Sequence, residues 1–275
     1  MVLDVKKLRN EFKGSYDLVN TSDGVTLFLR KWNPPNPSNK AILIFHGVTA
    51  YSGPYELFAQ ALTNMGFTAI GLDLRGHGLS DGIRGDYPSK ERLFKDLTET
   101  VSYIRNQFKT LLLFGHSLGV LNALIAKTHS QEKIDGLILL SAGKETRPGV
   151  YKTRTLLQKL KILFKSIITP SKPIIHYYRD GMKGLDDPLF NFYYTLRFMR
   201  LVNLKNVDLS EEINCPILFG VGEQDELFSV KSAHALLNDI PCKDKKFITI
   251  PNAKHAIDLT EEKFAGIKSW LNEKF

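Results

Sequence analysis

The feature that most constrains this chain is an alternation. Short runs of aliphatic and β-branched residues are separated by segments long enough to be helices. Parallel strands need such crossovers, because a tight turn cannot join them. The runs at 15–20, 25–32, 41–45, 67–72, 111–114, 136–141, 216–221 and 246–250 predict eight strands. The first two flank a Ser22-Asp23-Gly24 turn and are expected to be antiparallel. Helical segments separate the rest, which predicts a mostly parallel sheet with right-handed crossovers. Those helices are expected at 54–65, 89–108, 117–129, 229–240 and 258–274. In the first, Leu57, Phe58, Ala61, Leu62 and Met65 make one apolar face, with Pro54 at its start and Gly66 beyond its end. The alternation pauses near Lys144 and resumes at the strand of 216–221.

Composition narrows the class. Hydrophobic residues are 43% of the 275 and charged residues 24%, so a packed core and not disorder is the expectation. The two cysteines, Cys215 and Cys242, are too few for a disulfide framework or a zinc site, and two reduced thiols are expected. Asp4, Lys6, Lys7 and Arg9 interrupt the first residues, so no signal-peptide core forms there. The apolar runs are strand-length, far short of the ~20 residues of a membrane span. The expectation is a cytoplasmic protein with no cofactor and no metal.

One pentapeptide carries chemistry. Gly115-His116-Ser117-Leu118-Gly119 fits G-x-S-x-G. The pattern alone says little; its surroundings give it weight. A buried strand, Leu111-Leu112-Leu113-Phe114, precedes it, and a helix from Val120 onward follows. On such a strand-to-helix turn the serine is strained and its hydroxyl stands clear of the sheet, while the glycines make room for the backbone. The plain alternative is a glycine-rich turn with a helix-capping serine. A serine hydroxyl needs a base, and the base needs an orienting acid. Behind an elbow of this kind the chain order is Ser, then Asp or Glu, then His. Asp225 lies just past the strand of 216–221, with Glu223 and Glu226 near enough to compete. His255 lies just past the strand of 246–250. His46, His77 and His116 belong to turn motifs, His129 ends a helix, His176 is in the pause, and His234 is mid-helix, so His255 alone has the required position. The oxyanion donors are expected to be the N–H groups of Leu118 and of Val48, the latter in the loop after 41–45. His46, Gly47 and His116 flank these turns and are candidate substrate contacts.

On these residues the chain resembles the α/β hydrolases. The segments His46-Gly47-Val48-Thr49-Ala50-Tyr51-Ser52-Gly53-Pro54-Tyr55, Leu72-Asp73-Leu74-Arg75-Gly76-His77-Gly78-Leu79-Ser80-Asp81-Gly82 and Gly115-His116-Ser117-Leu118-Gly119 are similar to the monoacylglycerol lipase and lysophospholipase branch, which is serine aminopeptidase S33-like. So are Gly222-Glu223-Gln224-Asp225 and Ala253-Lys254-His255. The resemblance implies an α/β-hydrolase fold with Ser117 as nucleophile, Asp225 as acid, His255 as base, and Val48 and Leu118 as oxyanion donors. It also implies a helical cap inserted at 144–207, leaving 1–143 and 208–275 as the core. Val48-Thr49-Ala50 departs from the longer polar turn of many relatives, which leaves head-group preference open. The serine sets the chain apart from haloalkane dehalogenases and epoxide hydrolases of this fold, whose nucleophile is an aspartate.

Residues 144–205 hold thirteen Lys or Arg and four Asp or Glu, a net +9 against +8 for the whole chain. The positive charge therefore lives in the insertion. There Leu156, Leu160, Leu163, Phe164 and Ile167 recur at helical spacing, with Gln158, Lys161 and Lys165 on another face. Such a helix can lie on an anionic membrane surface, giving a peripheral contact with a lipid interface; a leucine stripe also packs on the domain beneath it, and both readings stand here. Phe190, Phe192, Tyr193, Tyr194, Phe198 and Met199 form an aromatic cluster, in which Phe192 and Phe198 are expected to wall an acyl tunnel. No aromatic–basic recognition motif is present, so no nucleic-acid partner is expected. The expected function is hydrolysis of a small ester or single-chain lipid. A peptide or C–C bond hydrolase, and a non-catalytic binding protein, are the alternatives on the same scaffold.

Overall fold

The computed structural model describes residues 3–151, 153–179, 181–256 and 261–275. A short helix α1 (Val5–Glu11) leads into β1 (Ser15–Asn20) and β2 (Thr26–Trp32). Then β3 (Lys40–Phe45), α2 (Glu56–Thr63), β4 (Thr68–Asp73), α3 (Lys90–Arg105), β5 (Thr110–His116), α4 (Leu118–His129) and β6 (Gly136–Leu140) alternate. The connection after β6 holds α5 (Leu156–Ile168), β7 (Ile175–His176), β8 (Tyr193–Tyr194) and α6 (Leu196–Leu201). The alternation resumes with β9 (Ile217–Gly222), α7 (Val230–Asp239), β10 (Lys245–Ile250) and α8 (Glu261–Lys274). The start expected for the last helix, 258–260, lies outside the described residues.

Eight strands form one sheet in the order β1-β2-β4-β3-β5-β6-β9-β10. β2 runs antiparallel to both of its neighbours, and the other pairs are parallel. The chain is thus an α/β protein with a mostly parallel eight-stranded sheet flanked by helices. Period-two alternation along the central strands sorts its side chains onto two faces. Leu43 and Phe45 of β3, with Leu111 and Leu113 of β5, meet α3, α4 and α7. Ile42, Ile44, Leu112 and Phe114 point the other way, against Phe58 and Leu62 of α2 and Phe264, Ile267 and Trp270 of α8. Covered on both faces, these strands read as continuous apolar runs.

The Asp73–Ser80 stretch braces the loops above the sheet. Asp73 accepts from the N–H groups of Ser52 at 2.6 Å and Leu79 at 2.7 Å. Arg75 lies between Asp96, at 2.7 and 2.9 Å, and Asp23, at 2.8 Å. The connection after β6 is anchored on either side of β8: Thr195 donates to Asp86 at 2.8 Å, Arg197 pairs with the same carboxylate, and Arg84 donates to the Leu189 carbonyl at 2.8 Å. Its α5 is different. A capping box of Thr155 and Gln158 starts the helix, yet none of its residues is buried. Leu156, Leu157, Leu160, Leu163, Phe164, Ile167 and Ile168 are all exposed, from 43% at Leu163 to 73% at Leu156. The half-buried positions are Ile162 and Ser166. Of the two readings of the leucine stripe, packing on the domain beneath is not met: α5 turns that stripe to the outside. Nor is the insertion purely helical, since β7 and β8 pair as an antiparallel ribbon.

Candidate active site

The site stands at the C-terminal edge of the parallel strands, where open α/β sheets gather their chemistry. Ser117 sits between the end of β5 and the start of α4 with φ 56° and ψ −117°, a conformation that L residues avoid. Neighbouring glycines make the bend possible. A Cβ on Gly115 would strike the Gly119 carbonyl, and a Cβ on Gly119 would strike the Phe45 carbonyl. The Ser117 N–H donates to the Leu140 carbonyl at 2.9 Å, which ties the bend to β6.

The structure brings Ser117, His255 and Asp225 together. Ser117 Oγ lies 3.0 Å from His255 Nε2, and His255 Nδ1 lies 3.0 Å from Asp225 Oδ2. With Nδ1–H donating to the carboxylate, Nε2 is left to accept from the hydroxyl. The other oxygen of Asp225 accepts from the N–H groups of Leu227 at 2.8 Å and Phe228 at 2.9 Å. Burial pushes the Asp225 carboxyl up, but the His255 ring and these N–H groups outweigh it and hold the group below the ordinary carboxylate range. Of the competing carboxylates, Glu223 accepts from the Asn252 N–H at 3.1 Å and Glu226 from the main-chain N–H of His255 at 2.9 Å, so neither meets the ring.

Val48 lines the cavity over the serine, and Leu118 follows the serine directly. Leu118 is the first residue of α4, so its N–H has no partner within the helix. In the turn after β3 the Gly47 N–H donates to the Tyr55 hydroxyl at 3.0 Å. The Val48 carbonyl is held from behind by Tyr194 Oη at 2.6 Å and His77 Nε2 at 3.2 Å. A relay joins this turn to the base. The Tyr55 hydroxyl donates to His116 Nδ1 at 2.9 Å, and His116 Nε2–H donates to the His255 carbonyl at 2.8 Å. Burial, and next the nearby His255, lower the His116 pKa to about 4, so the ring is neutral and able to play both parts.

A cavity of about 210 Å³ opens over the serine. Gly47, Val48, His116, Ser117 and His255 line its base, and Leu57, Phe58, Phe114, Leu140, Leu227 and Phe190 make it largely apolar. Gly47 and His116 thus reach the cavity, but three other expected contacts do not. His46 is fully buried behind the turn, where its Nε2 accepts from the Leu74 N–H at 3.1 Å. Phe198 is buried against Tyr194 and His77 at ring distances of 4.6 and 5.5 Å. Phe192 stacks on Phe190 at 6.2 Å, and it is Phe190 that faces the space. Composition marks the aromatic cluster, yet Phe190 and Phe192 lie in the loop before β8, where no regular period says which ring points inward. The part played by Tyr55 has no sequence signal, since nothing in its spacing distinguishes it from the apolar face beside it. Among the described residues no group of three or more His, Cys, Asp or Glu could hold a metal ion.

Fold and site together describe an α/β hydrolase with a serine on a nucleophile elbow. The family model described as "Serine aminopeptidase, S33" matches residues 36–263, and the chain belongs to that family. It is a serine hydrolase of the monoglyceride lipase-like branch. It is 23% identical to the monoglyceride lipase of Rattus norvegicus, over 94% of this chain and 90% of that protein. It is 22% identical to the monoacylglycerol lipase of Mycolicibacterium smegmatis, over 90% and 93%. Among solved structures it shares the fold of the Paleococcus ferrophilus monoacylglycerol lipase, with TM-score 0.72, 24% identity and coverage of 90% and 99%. It likewise shares that of a soluble variant of the Saccharomyces cerevisiae monoglyceride lipase bound to a substrate analog, with TM-score 0.75, 18% identity and coverage of 94% for each.

Proposed function

We propose that this chain hydrolyses carboxylic esters of single acyl chains, of the monoacylglycerol type. The observation that carries this reading is the 3.0 Å contact between Ser117 Oγ and His255 Nε2 on the floor of a mostly apolar cavity. In this mechanism Ser117 Oγ bonds to the ester carbonyl carbon while His255 Nε2 takes its proton. The oxyanion is met by the N–H groups of Val48 and Leu118. The intermediate collapses, the carbon–oxygen bond to the alcohol breaks, and His255 returns the proton to that alcohol. Water, deprotonated by His255, then releases the acid. Asp225 stays ionised throughout and stabilises the imidazolium.

Among the described residues the charged members of the cavity lining are Arg179 and Lys183. The insertion of 144–207, read as a cap, supplies Tyr177, Arg179, Met182, Lys183 and Phe190 to that lining. We assign its α5 to the surface of an anionic bilayer. The outward stripe is apolar, Lys159, Lys161 and Lys165 are exposed on the same helix, and the segment carries the net positive charge of the protein. No helix among the described residues is long and apolar enough to cross a membrane.

Hydrolysis of an ester panel, from acetyl to long-chain monoacylglycerols, with Ser117→Ala as control, tests the reading. A Ser117-dependent optimum at medium or long chains is expected. Activity on acetyl esters alone would remove the lipid assignment and keep the mechanism. No Ser117-dependent turnover of any ester would remove both.

A further inference from the structure

Glu226 directly follows the acid and takes no part in the triad, yet both of its oxygens are committed. Oε2 accepts the main-chain N–H of His255 at 2.9 Å, and Oε1 pairs with Arg179 Nη1 at 2.8 Å. Arg179 belongs to the insertion, lies between β7 and β8, lines the cavity, and is only 9% exposed. A second arginine of the insertion grips the same loop. Arg147 Nε donates to the Asp225 carbonyl at 2.9 Å, and the Arg147 N–H donates to the Leu227 carbonyl at 2.7 Å.

His255 has need of such a hold. It lies beyond the end of β10, so no strand ladder fixes its main chain. Its carbonyl is held by His116 and its ring by Asp225; the remaining polar group, the main-chain N–H, goes to Glu226. Burial pushes the Glu226 carboxyl up, but the His255 N–H, its own N–H and Arg179 outweigh it and keep the group ionised below the ordinary range. A charged acceptor grips an N–H more strongly than a neutral one.

Resting on the triad reading above, we propose that Glu226 is a positioning residue: it fixes the main chain of the catalytic base and, through Arg179, makes that fixation depend on the seating of the insertion. The Arg179–Glu226 pair is then a mechanical link between the element that covers the substrate and the element that moves its proton. Misplacing a catalytic group by about 1 Å can cost about a hundredfold in rate, so a loosened base costs turnover before it costs binding.

The test uses the full chain with two readouts, the labelling rate of Ser117 by a small alkyl fluorophosphonate, and kcat and KM on p-nitrophenyl acetate. Glu226→Ala is expected to slow labelling and kcat together by roughly ten- to a hundredfold, with KM and the circular dichroism spectrum little changed. Glu226→Gln keeps an oxygen for the His255 N–H but gives up the charge toward Arg179, so it is expected to recover part of the loss. Arg179→Met is expected to match Glu226→Gln, and the double variant to be no slower than either, since both break one link. Wild-type labelling in Glu226→Ala would overturn the positioning role, and losses that multiply in the double variant would overturn the link. Should Glu226→Ala not fold, the Gln and Met variants decide alone. A wild-type protein that no fluorophosphonate labels would instead sink the hydrolase reading, which is a different result from an unslowed variant.

Discussion

Two helices of almost equal length, α4 with 12 residues and α5 with 13, put similar apolar content to opposite use. From Leu118 to Ala126 every residue of α4 is buried, because the helix is apolar all round and lies between the sheet and α3. α5 has no buried residue; all of its apolar side chains but Ile162 share one face, and that face looks outward. Apolar content says that surface must be covered, and the surroundings decide by what. α4 is covered by its own chain and can therefore carry a strained serine at its N-terminus. α5 is left to be covered by something else.

The largest expected effect sharpens the α4 side. Ser117→Ala should lower ester turnover by roughly four to six orders of magnitude, while the melting temperature stays near or above that of the wild type. A strained position is held by the packing around it, and the hydroxyl contributes chemistry more than stability. Steady-state kinetics and calorimetry on one preparation check both halves. Turnover unaffected by the change would mean that the elbow is a helix cap and no more.

The buried side should also fail first in acid. His46 and His77 are fully buried and His116 is half-buried at the base of the cavity, and burial lowers their pKa values to about 4, 3 and 4. The unfolded chain takes up these protons as pH falls through about 6.5, while the native state does so only near 3–4. Between those limits the unfolded state holds more protons, so stability rises with pH in that window and is lost as pH falls. Each histidine should remove on the order of 2 kcal/mol by pH 5. Urea titrations at pH 7, 6 and 5 read the slope. Equal stability at all three would mean that the rings are already charged, or are solvated, in the native state.

Much of this is legible in the sequence. Strand-length apolar runs, helical segments between them and a G-x-S-x-G at one junction specify the sheet, its edge and the elbow, because each signal is local. Asp225 and His255 were legible from their places just past strand ends. Other features were not, for identifiable reasons. The pattern of α5 says that its residues form one face but is silent on where the face points, since that depends on what the flanking loops bring beneath it. Phe190 could not be told from Phe192, because both lie in the loop before β8, where no regular period assigns a direction. Glu226 read as a rival to Asp225, for sequence distance cannot separate a carboxylate that meets a ring from one that meets the main chain behind it.

Core substitutions set the scale for the contrast between the helices. Leu124 in α4 is fully buried. Leu124→Ala should cost about 2–5 kcal/mol, combining lost transfer energy with a cavity the sheet cannot close. Denaturant unfolding gives the number directly. A loss under about 1 kcal/mol would mean that α4 yields to fill the space, which the close approach of Gly119 to the Phe45 carbonyl argues against.

The same truncation in α5 should scarcely register, and there the comparison can be broken. Leu160 is 53% exposed, so Leu160→Ala should shift stability by less than about 0.5 kcal/mol. Its effect belongs to a different measurement. Replacing Leu160 and Phe164 together by serine removes two members of the outward stripe and leaves Lys161 and Lys165 in place. Co-sedimentation with phosphatidylserine-containing vesicles should fall severalfold for this double variant, since an apolar face supplies insertion energy at roughly 25 cal/mol per Å² removed from water. The wild type should bind less tightly as salt rises, because its lysines act over a Debye length of only about 8 Å at physiological ionic strength. If the double variant loses stability as Leu124→Ala does, the stripe is packed against protein and the contrast between the helices disappears. If stability holds and vesicle binding is also unchanged, α5 is exposed without serving the bilayer.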